Sequence, residues 1–334
     1  MVSKPLNILF TNVGRRVALI RHFRNTYARY NISGRIFGVD ASPDAPALHE
    51  LDEARLICRI DDPGYIDCLL GLCARKKVDL LFPLIDTDLM KLAQSRPDFA
   101  RVGTNVVVCE PDLVEATMNK YTTYDFFKQL GIDTPNVFAL ENGREDQYRY
   151  PLFIKPLDGS ASRGIFKINS TKELIFFREY VERPILQEYV AGHEFTLDMF
   201  YDFSGVLRCI VPRRRIEVRA GEVSKSVIEM DPNVMDAGWR LGNRLRGARG
   251  VINVQCIRTS EGRVSFIEIN PRFGGGTPLS LHAGADFPRW LLNMARGIDP
   301  GDVRCSFTPG VYMLRFDDAV FLQGLPAIAQ CGEC

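Results

Sequence analysis

Gln255, Glu268 and Asn270 place hard oxygen donors in two runs otherwise rich in Val, Ile and Phe: Gly250-Val-Ile-Asn-Val-Gln-Cys-Ile and Val264-Ser-Phe-Ile-Glu-Ile-Asn. The Thr259-Ser-Glu-Gly262 link between them reads as a short hairpin loop. Strand side chains alternate faces, so Glu268 and Asn270 point the same way. With residues 258 and 263 closing the hairpin, Gln255 lies opposite Phe266 and its oxygen shares that face. One carboxylate and two amide oxygens suit Mg²⁺, or Mn²⁺, completed by water and phosphate; zinc would call for Cys or His. The ordinary alternative is the solvent face of an antiparallel hairpin. Against it, the run continues into Asn270-Pro271-Arg272 and three glycines, a loop that lets backbone amides approach a ligand.

A second chemical signal is Pro151-Leu-Phe-Ile-Lys155-Pro156, an apolar strand ending in a cation, followed by Asp158-Gly159-Ser160-Ala-Ser162-Arg-Gly164. Small residues leave backbone N–H groups unshielded, and such a loop can wrap an anion as a nest beside the Lys155 charge. A plain hairpin turn is the alternative. No Gly-Lys-Ser/Thr closes the loop, so it is not a Walker P-loop. Further on, Val211-Pro-Arg213-Arg-Arg215-Ile-Glu-Val-Arg219 precedes Lys225. Alternation places Arg213, Arg215, Glu217 and Arg219 on one face, a concentrated cationic strand surface; a nucleic-acid patch or a solvated edge would have the same composition.

The elements that must position these groups follow an α/β pattern. Up to about residue 100, strands at 7–11, 35–40 and 78–82 alternate with helices ending near Phe23 and spanning Tyr65 to Arg75, a small parallel layer. Only Gly14 stands where a dinucleotide fingerprint needs three glycines, which disfavours an NAD site despite Asp40. Tyr124, Phe127 and Leu130 have helical spacing, stopped by Gly131, and residues 141–149 read as a polar connection. A chain of 334 residues exceeds one typical domain. Its net charge of +1 implies no broad attraction to nucleic acid or membrane. The N-terminus lacks a secretory apolar core, and no apolar run reaches membrane-spanning length. Nine scattered cysteines point to reduced thiols in the cytoplasm. Cys331-Gly-Glu-Cys334, a lone CxxC at the end of this chain, reads as a frayed tail more readily than as a metal or redox site.

Taken together, Asn253-Val-Gln255 and Phe266-Ile-Glu-Ile-Asn-Pro-Arg272 resemble the metal-binding hairpin of the ATP-grasp superfamily, in its carbamoyl-phosphate-synthetase-like and biotin-carboxylase-like branches. The resemblance extends over roughly residues 118 to 295, with four further segments in the family's order. It implies that Gln255 and Glu268 bind magnesium, Asn270 completes the second metal position, and Arg272 faces the γ-phosphate or acyl phosphate. Lys120 would lead the first helix and reach the nucleotide phosphates, as would Lys155 with Gly159, Ser160, Ser162 and Gly164. Gln187 and Glu188 would lie beside adenine, the backbone of Tyr189 and Val190 would pair with its edge, and Glu194 would take the ribose hydroxyls. Arg213, Arg215 and Lys225 would hold the γ-phosphate and a carboxylate substrate.

The implied architecture is α/β: a Rossmann-like preATP-grasp domain over 1–110, then a two-lobe ATP-grasp fold of α+β type over 111–300. A mobile lid would span about 122–188, and 301–334 would be a short C-terminal segment, truncated relative to longer relatives. The loops near 12–15, 40–42 and 86–88 are where the first domain would contribute to a substrate site. The implied activity is ADP-forming ligation of a small carboxylate to an amine through an acyl phosphate, with ATP and Mg²⁺ and with homodimers common among similar proteins. The alternatives are a bicarbonate-activating carboxylase or carbamoyl-phosphate-type enzyme, and a nucleotide-binding regulator without catalysis.

Overall fold

The computed structural model describes residues 4–331 apart from 142, 144, 158–163, 220 and 325–326. Strands β1 (Ile8–Thr11), β2 (Ile36–Asp40), β3 (Glu53–Leu56), β4 (Leu80–Pro83) and β5 (Asn105–Val106) form a parallel sheet in the order β3-β2-β1-β4-β5. Helices α1 (Val17–Arg29), α2 (Tyr65–Lys76), α3 (Leu89–Gln94) and α4 (Arg96–Arg101) accompany it. Strand order reverses between β1 and β4, so their outgoing loops open a crevice at the carboxyl ends, the usual ligand position in such sheets. Edge strands β3 and β5 escape sequence reading: no residue of β3 is fully buried, and β5 has only two residues.

Helices α5 (Pro111–Ala116) and α6 (Lys120–Gln129) lead out of this unit. Asn119 starts α6 by accepting from the backbone of Tyr121 and Thr122, while Thr122 answers the Asn119 backbone as a capping box. Next come β6 (Val137–Phe138), β7 (Leu152–Pro156), β8 (Phe166–Ile168), α7 (Thr171–Tyr180) and β9 (Pro184–Glu188), with an antiparallel sheet in the order β6-β9-β7-β8. The remaining elements are β10 (His193–Tyr201), β11 (Leu207–Arg219), β12 (Glu222–Ile228), α8 (Pro232–Gly242), β13 (Gly250–Arg258), β14 (Val264–Asn270), α9 (Thr277–His282), α10 (Phe287–Ala295) and β15 (Tyr312–Leu314). Their sheet is antiparallel in the order β14-β13-β10-β11-β12-β15.

Burial divides the chain differently from sequence order. On one face of the first sheet Leu9, Phe37 and Leu81 share a core with Leu197, Met199 and Val254 of the large sheet; on the other, Ile8, Phe10 and Phe82 join Phe200, Val211 and Val251. The β6–β9 sheet has a core of its own, Leu152, Ile154, Ile168, Leu174, Val181 and Leu186. Phe127 of α6 belongs to the large core and sits 6.0 Å from Phe266 of β14. Helix α6 is therefore part of the main body, and the separately cored lobe starts after it. Beyond β15 the chain returns to the first sheet, where Cys331 N donates to Leu56 O at 2.7 Å. No helix among the described residues is long and apolar enough to cross a membrane.

Candidate functional site

The β13–β14 hairpin is closed one residue differently from the expectation. Thr259 N donates to Arg263 O, and Arg258 pairs with Val264. That register alone would set Gln255 against Ile267 and turn it away from Glu268, because a one-residue slip exchanges strand faces. A bulge absorbs the error: Cys256 pairs with Phe266, Ile267 is the extra residue, and Gln255 pairs with Glu268. Asn253 then pairs with Asn270. The three oxygen donors share a face, as expected, but Gln255 opposes Glu268 and not Phe266.

Each donor has a cationic neighbour. Gln255 Oε1 accepts from Arg215 Nη1 at 2.9 Å, and that guanidinium also lies 3.2 Å from Glu194. Asn270 Oδ1 accepts from Arg272 Nη2 at 3.2 Å. Glu268 is exposed, and its charge is felt by Lys155. Among the described residues no three His, Cys, Asp or Glu side chains cluster to hold a metal. The donor set of one carboxylate and two amides fits Mg²⁺ only with help from further oxygens, which nucleotide phosphates would supply.

Lys155, next to last in β7, has a nearly closed setting, 8% exposed. Burial, reinforced by neighbouring Lys120 and opposed by Glu268, pulls its ammonium down to about 8. Lys120 Nζ donates to Leu157 O at 3.1 Å, bringing the first residue of α6 to the end of β7. Two cations held together in this way invite a polyanion. Gly159, Ser160 and Ser162 lie outside the described residues; Gly164, at φ 68, closes the loop against Pro156.

Gln187 is buried on β9, where it pairs with Phe153. Glu188 turns its carboxylate to Arg263 and to Asn136, whose Nδ2 donates at 3.0 Å; the Arg263 hydrogen bond holds the acid below its ordinary range. Lys167 lies 4.3 Å from the Tyr189 ring centroid, Val190 is buried, and Glu194 is exposed. These residues line the junction between the small sheet and the large one.

A continuous cationic face on β11 does not form. Arg213 is buried, its Nε and Nη2 gripping both oxygens of Asp198 at 2.8 and 2.9 Å. Asp198 also accepts from Asn253 and from Ser280 Oγ, so Arg213 braces the floor of the site. Arg213 Nη1 has no hydrogen-bond partner among the described residues. Beyond Arg215 two irregularities break the β11–β12 ladder, and Lys225 pairs with Glu217 at 2.6 Å on an exposed face. The lone acid Asp198 in the apolar run Phe195-Thr-Leu-Asp-Met-Phe was the available signal for this brace.

The three glycines act by making room for side chains. A Cβ on Gly274 would come within 2.5 Å of Asn253 Nδ2, on Gly275 within 2.8 Å of Arg16 Nη1, and on Gly276 within 2.3 Å of Arg213 Nη1. Arg16, one residue beyond the loop singled out in sequence, comes from the β1–α1 turn. Asp86, from the loop after β4, takes a hydrogen bond from Arg272. The first sheet thus delivers two charged groups to the end of the β13–β14 hairpin.

Residues 8–107 match the family model "PylC-like, N-terminal domain", and residues 117–276 match the ATP-grasp domain model. A D-alanine–D-alanine ligase of Fusobacterium nucleatum is 26% identical over 165 residues, 46% of this chain and 56% of that protein; the chain thus spans about half the length of that curated relative. A carbamoyl-phosphate synthase of Methanobrevibacter smithii is 21% identical over 281 residues, covering 77% of this chain and 73% of the other. Among solved structures, the biotin carboxylase domain of Hydrogenobacter thermophilus 2-oxoglutarate carboxylase, in complex with MgADP and bicarbonate, superposes with TM-score 0.71 at 15% identity over 93% of this chain and 74% of that one. The ADP complex of Staphylococcus aureus N5-carboxyaminoimidazole synthetase gives 0.70 at 14% identity over 95% of each chain. At such identities these structures establish the fold.

Proposed function

We propose that this chain, an ATP-grasp superfamily protein with a PylC-like N-terminal domain, is an ADP-forming ligase that joins a carboxylate to an amine or similar nucleophile. What supports the reading is a hairpin face carrying Gln255, Glu268 and Asn270 with Arg272 at its end, and the Lys155 charge, beside Lys120, near enough to Glu268 to feel it.

Lys120 and Lys155 take the nucleotide phosphates, whose charge favours the protonated form of Lys155 that burial disfavours. Gln255, Glu268 and Asn270 would hold Mg²⁺, which would screen phosphate charge. Arg215, hydrogen-bonded to Gln255 Oε1, would be free for an anion when that amide oxygen serves a metal. A substrate carboxylate attacks the γ-phosphorus; the bond from that phosphorus to the bridging oxygen of ADP breaks, and an acyl phosphate forms. Arg272 stabilises the charge that moves in this step. The nucleophile then attacks the acyl carbon and phosphate leaves with the oxygen it received. Positioning and charge neutralisation are the protein's main contributions.

The test is product analysis with MgATP and a panel of carboxylates, with hydroxylamine as a general nucleophile. Hydroxamate and ADP in equal amounts, appearing only with a suitable carboxylate, support the reading; AMP and pyrophosphate oppose it. A bicarbonate-activating variant of the same chemistry is favoured by the likeness to a carbamoyl-phosphate synthase over 77% of this chain. ADP release driven by bicarbonate alone would select it.

A further inference from the structure

Arg16 stands out among the charged side chains around the site. It is half-buried, yet no carboxylate of the described residues lies within ion-pair distance of it. Its neighbours already have partners. Arg272 donates to Asp86, Arg315 donates to Glu222 at 2.9 Å and to Gly275 O at 3.2 Å, and Arg15 lies 3.8 Å from Glu222. Four guanidiniums (Arg15, Arg16, Arg272, Arg315) against two carboxylates (Asp86, Glu222) leave an excess of two positive charges. Burial first, then the like charges of Arg272 and Arg315, pull the Arg16 guanidinium down to about 10 despite Glu222 and Asp86. A guanidinium held in such crowding is poised for an anion. Gly275 supplies a second geometric sign: its missing Cβ leaves the space that Arg16 Nη1 occupies.

The position of Arg16 specifies which anion. Lys120, Lys155 and the metal hairpin take the nucleotide, and Arg272, bonded to Asn270, adjoins that end of the cleft. Arg16 reaches the cluster from the first sheet, out of the β1–α1 turn, and meets it beside Gly275. We infer that Arg16, framed by Arg315 and the Gly275 backbone, binds a non-reacting carboxylate of the substrates, so that at least one substrate carries a carboxylate besides the one that is phosphorylated. This rests on the ligase reading above. The extra carboxylate belongs either to the activated acid or to the nucleophile, and both sources offer the planar, bidentate partner that a guanidinium prefers.

The experiment measures hydroxamate formation and complete ligation, each with MgATP, for wild type, Arg16→Gln, Arg16→Lys and Gly275→Ala. The panel contains amino acids and dicarboxylates together with their mono-amides. Arg16→Gln should raise KM for the carboxylate-bearing substrate at least about tenfold while KM for ATP stays constant; the mono-amide lacking that group should be insensitive. An effect already present with hydroxylamine places the carboxylate on the acid, and an effect confined to complete ligation places it on the nucleophile. Gly275→Ala displaces the guanidinium without removing its charge and should reproduce the KM change, and Arg16→Lys should restore part of the loss. The inference is overturned if Arg16→Gln lowers kcat without moving either substrate's KM, if it weakens ATP equally, or if it changes nothing. Wild-type protein that releases no ADP with any panel member refutes the ligase reading instead. In that event calorimetry of the same dicarboxylates and amino acids with MgADP decides about Arg16: binding lost in Arg16→Gln supports it, and no binding to wild type overturns it.

Discussion

Glu268 is the sole carboxylate of the proposed metal set, which makes it the most sensitive residue. Replacement by Gln keeps its shape and leaves three neutral amides, poor ligands for a hard dication. Steady-state turnover at limiting Mg²⁺ should fall roughly a hundredfold in Glu268→Gln, with an unchanged melting temperature because the side chain is exposed. Near-normal turnover would remove the metal assignment. Lys155 makes a pH prediction of definite sign. Free protein loses this proton near pH 8, and bound phosphate raises the group's affinity for it. MgATP affinity should therefore be level below that pH and weaken above it by about tenfold per unit until the bound form also titrates. Lys155→Ala should bind MgATP weakly, with this slope gone and with adenosine binding intact; calorimetry from pH 7 to pH 10 measures both.

Arg213 carries its meaning at the scale of elements. Its buried pair with Asp198 ties β11 to β10, while Asn253 of β13 and Ser280 of α9 satisfy the same carboxylate. Removing one member leaves a buried charge without its counterpart, at a cost of about 3–5 kcal/mol. Asp198→Leu should therefore lower the denaturation midpoint strongly, whereas Arg215→Ala, whose guanidinium faces the exposed Glu194 and the amide of Gln255, should chiefly affect ligand binding. Comparable melting of the two variants would contradict this division. The sequence made the β13–β14 hairpin and the shared face of its oxygen donors legible because polar residues interrupt an apolar alternation. Its register was not legible, since closure at Thr259 and Arg263 would misdirect Gln255 without the bulge at Ile267. The cationic run on β11 misled for a related reason: periodicity gives the face of a side chain but not its depth, and Asp198 draws Arg213 inward. The glycines were legible as a close approach, yet what approaches is Asn253, Arg16 and Arg213, all distant in sequence.

At the scale of the whole molecule, the first sheet and the large sheet share two cores, whereas the β6–β9 sheet has a separate one. The β13–β14 hairpin, Arg272 and Arg16 thus stand on one body, and Lys155 stands on the other. Such a division suits a lobe that closes over nucleotide and keeps water from a reactive acyl phosphate. The formation of that intermediate is the central claim, and the fate of one carboxylate oxygen tests it most directly. A carboxylate substrate labelled with heavy oxygen is turned over with MgATP and the nucleophile, and the released inorganic phosphate is examined by mass spectrometry. Transfer of one labelled oxygen to each phosphate is the predicted result, because the carboxylate attacks phosphorus and its oxygen leaves with the phosphate. Unlabelled phosphate, or label recovered in AMP, would contradict it.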